Sequence, residues 1–328
     1  MKRLGQTVMQ LLFVLALVTS TPHANGAVLW SPERAIEIVA GSAAGGAQDR
    51  TARAMQLILK ERGIVKVPVS VINKPGGGGT LSYAYLGQRS GDAHYIVVSS
   101  PAMLINHIMG SSTINHTDLT PLALLFSEYI VIAVRDDSPI KSGADLAQRL
   151  KAGAPVSAAV ATARGGMQHV AVGLIAKAVG ADVRKLRVAV FNSGAESITA
   201  VMGGHIDIVA TAAANAAAQV ANGRLRVIGV AAPKRLDGIY AGVPTWREQG
   251  YDVVVSNWRS VFGPKGMTAA QVAWWDATLA SLVQTPEWND DIKQNDWVNN
   301  YMGSAASRGY FAGQYDTLRG LLADLLAK

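Results

Sequence analysis

Two glycine-rich loops carry the residues best placed to do chemistry. The first reads Ala40-Gly41-Ser42-Ala43-Ala44-Gly45-Gly46-Ala47-Gln48-Asp49. Side chains this small let backbone N–H groups approach a bound molecule. A helix starting just beyond them adds unpaired amide donors and the positive end of its dipole. Together these favour an anion. The loop lacks the Lys-Ser/Thr ending of a phosphate loop and the spacing of a dinucleotide fingerprint, so a carboxylate fits better than a nucleotide. Asp49 would repel an anion that it faced, and is expected to cap the helix or brace the loop. The second loop, Asn73-Lys74-Pro75-Gly76-Gly77-Gly78-Gly79-Thr80, reads equally as a flexible turn or as backbone packed closely against a cleft.

Two further loops end predicted strands. Ser99-Ser100-Pro101 closes one, and Thr162-Ala163-Arg164-Gly165-Gly166 closes another and opens a helix. Arg164 is the charged side chain in these loops that can pair with a carboxylate in bidentate fashion. It reads equally as a solvated loop arginine.

Catalysis finds no support. His23 lies in the N-terminal leader, and the other five histidines are isolated, without metal-ligand spacing to one another or to an acid. Ser138-Pro139-Ile140-Lys141 matches Ser-x-x-Lys but sits in a turn with no partner motif, and there is no Gly-x-Ser-x-Gly elbow. Asn115-His116-Thr117 is a formal glycosylation triplet only. The absence of cysteine removes disulfides, thiolate metal sites and thiol nucleophiles. Neither a metal nor another cofactor is implied.

The elements that must position these loops alternate along the chain. Strands are predicted at 36–40, 67–72 and 95–99, with helices at 49–62 and 81–89 between them. The pattern restarts after Thr120-Pro121, with strands at 129–134, 156–161, 187–191, 206–210 and 226–231. Helices are predicted at 144–151, after Gly165-Gly166, and at 195–202 and 212–221. Met167, Val170, Ala171, Leu174 and Ala178 recur at helical spacing. Thr268 and Gln271 form a capping box ahead of a helix through Val283. Pro286 opens the next helix. A last helix carries Tyr310, Phe311, Leu318, Leu321, Leu322 and Leu325 on one stripe. Trp274-Trp275 reads as packing. No short internal repeat is evident. Two successive α/β units, each with a mostly parallel sheet, would present their loops to each other across a cleft at the carboxyl ends of their strands.

Composition sets the outer limits. The 328 residues are 49% hydrophobic and 16% charged, enough for a globular core. Lys2-Arg3, the apolar run Leu11–Val18 and the small residues that follow have the order of a secretory signal peptide, expected over residues 1–27. Its apolar run is too short to span a bilayer. The net charge of +7 is scattered, without a basic run, which speaks against nucleic acid and for a mild field that gathers anions.

The loop at 40–49, the turn after Asn73, the Gly165-Gly166 helix start and the run Met202-Gly203-Gly204-His205-Ile206-Asp207 resemble the substrate-binding proteins of tripartite tricarboxylate transporters, the Bug family. Gly223–Val230 followed by Lys234-Arg235 and Val243-Pro244-Thr245 is similar to another stretch of that family. So is Ser256-Asn257-Trp258 followed by Phe262-Gly263-Pro264-Lys265-Gly266. The resemblance runs from about residue 33 to the C-terminus. It implies an α/β two-lobe periplasmic-binding-protein fold (Venus flytrap, type II), a small organic acid held in the cleft, permease subunits as partners, and no catalysis. It is expected to be periplasmic and monomeric. The expected division places 28–128 and 252–328 in the first lobe and 129–251 in the second, with hinge strands near 129–134 and 251–258. The expected ligand contacts are Ser42, Ala43, Ala44, Gly45, Gly46, Asp49, Ser99, Ser100, Thr162, Ala163, Arg164, Gly165, Phe191 and Thr211.

The chain departs from the family pattern at several of these. Its first loop lacks the usual proline-glycine run, Phe191 replaces a tyrosine, Glu196 a proline, and Arg164 a small residue. An arginine gained and a hydroxyl lost point to a different acid, aromatic or larger. Two other readings stay open: a solute sensor that feeds a signalling receptor, which would share the cleft, and an exported α/β hydrolase, which would need a nucleophile–base pair.

Overall fold

The computed structural model describes residues 30–161 and 163–326. The expected signal peptide and Thr162 lie outside the described residues.

The chain order is β1 (Ile36–Ala40), α1 (Ala47–Glu61), β2 (Val69–Asn73), α2 (Thr80–Gly87), β3 (Tyr95–Ser99), α3 (Ala102–Ile108), β4 (Thr120–Arg135), α4 (Gly143–Lys151), β5 (Ser157–Ala161) and α5 (Met167–Ala178). It continues with β6 (Arg187–Phe191), α6 (Gly194–Met202), β7 (Ile208–Ala212), α7 (Ala213–Ala221), β8 (Leu225–Val230), β9 (Ser256–Gly263), α8 (Ala269–Val283), α9 (Pro286–Gln294), β10 (Met302–Gly303) and α10 (Ser304–Leu326). Local chemistry accounts for many boundaries. Thr268 and Gln271 make the reciprocal capping box that opens α8, and Thr285 caps α9 with Pro286 in its first turn.

The strands form two α/β lobes that share their central strands. In the first, the order is β2-β1-β3-β9-β4. In the second it is β6-β5-β7-β4, with β8 also against β4. β1 is parallel to β2 and β3, and β5 is parallel to β6 and β7. The shared strands are antiparallel to their neighbours: Ser99 pairs with Ser260, and Val131 pairs with both Thr211 and Val230.

β4 joins the lobes. Its 16 residues pair with β9 from Thr120 to Tyr129 and with β7 from Ile130 to Ala133. The sequence pattern finds only 129–134 of this strand, because Thr120-Pro121 reads as a break. Pro121 is accommodated where the β4–β9 register shifts, between Pro121 and Ala123, so its missing N–H interrupts no regular ladder. The second crossing strand is β9, at 256–263 and not 251–258. Residues 251–255 form an irregular approach in which Val255 donates to the Ala231 carbonyl. α3, unmarked by any capping signal, was not anticipated.

α10 ties the two lobes from one side. At its start, Ser304 donates to Asp276 of α8, through N–H at 2.7 Å and through Oγ at 2.6 Å. Midway, Phe311 packs against Trp258 and Phe262 with ring centroids 4.8 and 5.0 Å apart. Near its end, Leu325 packs into the space over Gly173 of α5, and Lys177 pairs with Asp324 at 2.8 Å. Burying a ring such as Phe311 is worth about 1.5–3 kcal/mol relative to exposure. No described helix is long and apolar enough to cross a membrane.

Candidate ligand-binding cleft

The loops singled out from the sequence gather at the carboxyl ends of the two sets of parallel strands. In the first lobe, β1 feeds the 41–46 loop and β3 feeds Ser99-Ser100. In the second, β5 feeds Ala163–Gly166, β6 ends at Phe191, and β7 brings Thr211.

The two glycine pairs are built alike. Gly45 and Gly165 have φ of +79° and +81°, a region in which a Cβ is strained. Gly46 and Gly166 follow as extended N-caps, with φ/ψ of −70°/166° and −64°/166°. In each loop the first glycine's N–H donates to a side chain four residues on: Gly45 to Asp49 Oδ2 at 2.8 Å, and Gly165 to His169 Nδ1 at 2.9 Å. The sequences align as Gly-Gly-x-Gln-Asp and Gly-Gly-x-Gln-His. This correspondence was missed from the sequence because it spans only a few residues. Its signal was the shared Gly-Gly-x-Gln.

Asp49 braces the first loop. It is 2% exposed and accepts from Arg53 Nε, from Asn73 Nδ2 at 2.8 Å and from Gly45, while its own N–H donates to Ser42 Oγ. Burial alone would push its carboxyl up. The bonds from Arg53, Gly45 and Asn73 outweigh that and hold it below the usual carboxylate range. Its oxygens are thus turned into the loop. His169 plays the matching part, and burial together with the Arg164 charge pushes its pKa down. An imidazole accepting at Nδ1 is neutral, with its proton on Nε2.

Ala43, Ala44, Gly45, Ala163 and Arg164 are exposed, Ser42, Gly46, Ser100 and Phe191 are half-buried, and Ser99, Gly165 and Thr211 are buried. Ser99 donates to the Tyr83 hydroxyl at 3.0 Å, and Asn215 reaches Thr211 Oγ1 at 3.4 Å. Arg164 leans toward the edge strand β6, where its Nη2 is 3.5 Å from the Val188 carbonyl. Phe191 borders a shallow surface hollow with Glu196 and Thr199. The structure therefore assembles the candidates into one group per lobe. Among the described residues no hydrogen bond joins the two groups.

Four consecutive glycines in the second loop, Gly76 to Gly79, all have positive φ. Gly76–Gly78 are exposed. Gly79 is buried, and a Cβ there would stand 2.9 Å from the Tyr83 hydroxyl. A Cβ would also stand 2.6 Å from Leu81 Cδ1 at Gly76 and 2.7 Å from Asn106 Nδ2 at Gly78, so the turn is closely packed even where it is exposed.

The sequence reading passed over a polar cluster where β4 and β9 cross. Arg259, 8% exposed, lies 3.9 Å from Glu128, which accepts from Asn257 Nδ2 at 2.7 Å. Arginine within an apolar strand was the available signal. A separate cavity of about 410 Å³ lies between segments 233–240 and 292–299, bordered by Tyr129, Lys234, Tyr240, Asp296 and Trp297. None of the sequence-derived contact residues lines it.

Residues 52–319 match the family model described as "Tripartite tricarboxylate transporter family receptor". The chain belongs to this receptor family. Tripartite tricarboxylate transporter receptors are binding proteins and not enzymes, which removes the hydrolase reading. Their fold recurs in solved structures. A TctC solute-binding protein from Polaromonas is 24% identical, with TM-score 0.81, over 90% of this chain and 99% of that one. MatC from Rhodopseudomonas palustris, solved with malate, is 19% identical with TM-score 0.67, over 89% and 99% of the two chains. An R. palustris protein solved with adipate is 17% identical with TM-score 0.70, over 90% and 98%. Among curated proteins none matches the chain. The receptor fold expected from the loop motifs is therefore present.

Proposed function

We propose that this receptor works in the periplasm after removal of residues 1–27, captures a small organic acid between its lobes, and delivers it to the permease subunits of a tripartite transporter. The matched pair of Gly-Gly loops carries this reading: each lobe offers small residues and a helix N-terminus to the same cleft. The malate and adipate bound by the two R. palustris proteins support the acid class. The proposed contacts are the loop Ser42–Gly46, Ser99-Ser100, Thr162–Gly165, Phe191 and Thr211, with Asp49 shaping the loop. The proposed division has 28–128 and 252–328 in the first lobe and 129–251 in the second, with closure about β4 and β9.

The test is thermal unfolding against mono-, di- and tricarboxylates and aromatic acids. An acid at about 100 times its Kd stabilises the folded state by roughly 2.7 kcal/mol, which raises Tm visibly. No shift with any acid would overturn the reading.

A further inference from the structure

Arg259 differs from most of the other described arginines, which sit at the surface beside a carboxylate. It is buried where β9 passes from the first lobe to the hinge, one residue beyond the Ser99–Ser260 pair that ends the β3 ladder. Its guanidinium is within electrostatic reach of Glu128, Tyr83 and Arg50. Tyr83 takes the hydrogen bond from Ser99, and both are buried, so the cluster lies beneath the carboxyl end of β3, from which the Ser99-Ser100 loop leaves.

A guanidinium has five N–H donors in a rigid fork. Nη1 spends its donors on the carbonyls of Asn257 at 3.2 Å and Trp258 at 3.0 Å, with Asn257 Oδ1 at 3.4 Å. Among the described residues, Nε is enclosed and has no partner, and Nη2 has no hydrogen bond. The Glu128 carboxylate, 3.9 Å from Nη2, is too far to donate to and is held by Asn257. The unclaimed side of the fork is thus the Nε–Nη2 edge, whose two parallel N–H bonds match the spacing of a carboxylate. Leaving such donors unmet in a dry site is costly, and a carboxylate placed there gains strength from the exclusion of water.

We propose that the Nε–Nη2 edge of Arg259 anchors one carboxylate of the bound organic acid, and that Glu128 is the resident anion competing for it. This rests on the acid-binding reading of the cleft. It makes Arg259 a specificity residue on a strand common to both lobes, so the anchor keeps its place while the loops move.

Calorimetric titration of malate, adipate and the monoamide of adipic acid into wild type, R259Q, R259K and E128Q tests this. R259Q is expected to lose at least about tenfold in affinity for the diacid that binds wild type. R259K, which keeps the charge without the fork, should lose most of the same affinity. Wild type should prefer adipate to its monoamide, and R259Q should not. E128Q, freed of the competing anion, should bind severalfold more tightly, and it carries the test if R259Q does not fold. R259Q binding within twofold of wild type, or E128Q binding unchanged with only a lower Tm, would leave Arg259 a structural residue and overturn the proposal. Failure of wild type to bind any acid would overturn the cleft reading and this anchor together.

Discussion

At the residue scale, Asp49 and His169 do the same work with opposite charge behaviour. Each accepts the N–H of a glycine with positive φ, so each holds a loop that the backbone would otherwise leave. Asp49→Ala leaves the Gly45 N–H and the Arg53 guanidinium without their acceptor, and is expected to cost about 1–3 kcal/mol in urea unfolding. The histidine makes the second loop sensitive to acid. The pKa values of His169 and His116 are both depressed from 6.5, chiefly by burial. Their stabilising effect is therefore complete above pH 6.5 and declines as the pH falls through their folded values, because the unfolded chain takes up the protons first. Urea midpoints measured from pH 7.5 to 4.5 should fall in that direction, and less steeply in His169→Gln. Arg164 is exposed and is one of the proposed ligand contacts. Arg164→Ala is expected to weaken acid binding severalfold, mainly through faster dissociation in stopped-flow kinetics, and an unchanged Kd would remove it from the contacts.

At the scale of elements, α10 is the strap whose two ends hold different lobes. Its apolar stripe was legible, since Phe311, Leu318, Leu321, Leu322 and Leu325 fall on one face at helical spacing and all are buried. What that face covers was not, because a stripe of leucines does not name its partner. The partner at the far end is a notch over Gly173, where a Cβ would stand 2.8 Å from Leu325 Cδ1. Gly173→Ala should destabilise by about 1–3 kcal/mol through overpacking. Leu325→Ala should cost about 2 kcal/mol or more through the cavity it opens. Because the two occupy one space, the double variant should be more stable than the sum of the single losses predicts. Helix boundaries with side-chain caps were read within a residue or two, as at Thr268 and Thr285. Length was misjudged for β4, where a proline inside a shared strand resembles the end of one.

At the scale of the whole molecule, the proposed closure about the shared strands β4 and β9 would turn the lobes, which α10 also bridges. Capture of an acid should draw them together, and solution scattering should show a smaller radius of gyration with ligand than without. The cavity between 233–240 and 292–299 would give an optical readout of that closure. Trp297 borders it and stacks on Phe126 of β4 with centroids 4.2 Å apart. A ligand that turns the lobes should change tryptophan fluorescence, and Trp297→Phe should remove most of that change without altering affinity.

The sequence by itself determined the α/β alternation, the loops at the strand ends and the receptor family, because these rest on local periodicity, on glycine and cap positions, and on motif order. It also left Asp49 either to cap the helix or to brace the loop, since a carboxylate facing an anion would repel it, and the structure shows the brace. Tertiary structure decided the rest. The backbone angles and hydrogen bonds at Gly45 and Gly165 had to be seen before the two loops could be read as one device used twice. Two antiparallel strands had to cross before Arg259, unremarkable between Trp258 and Ser260, emerged as a buried fork with one edge unclaimed. Hydrogen-bond satisfaction belongs to neighbours in space, and a linear pattern does not record which donors have gone unmet.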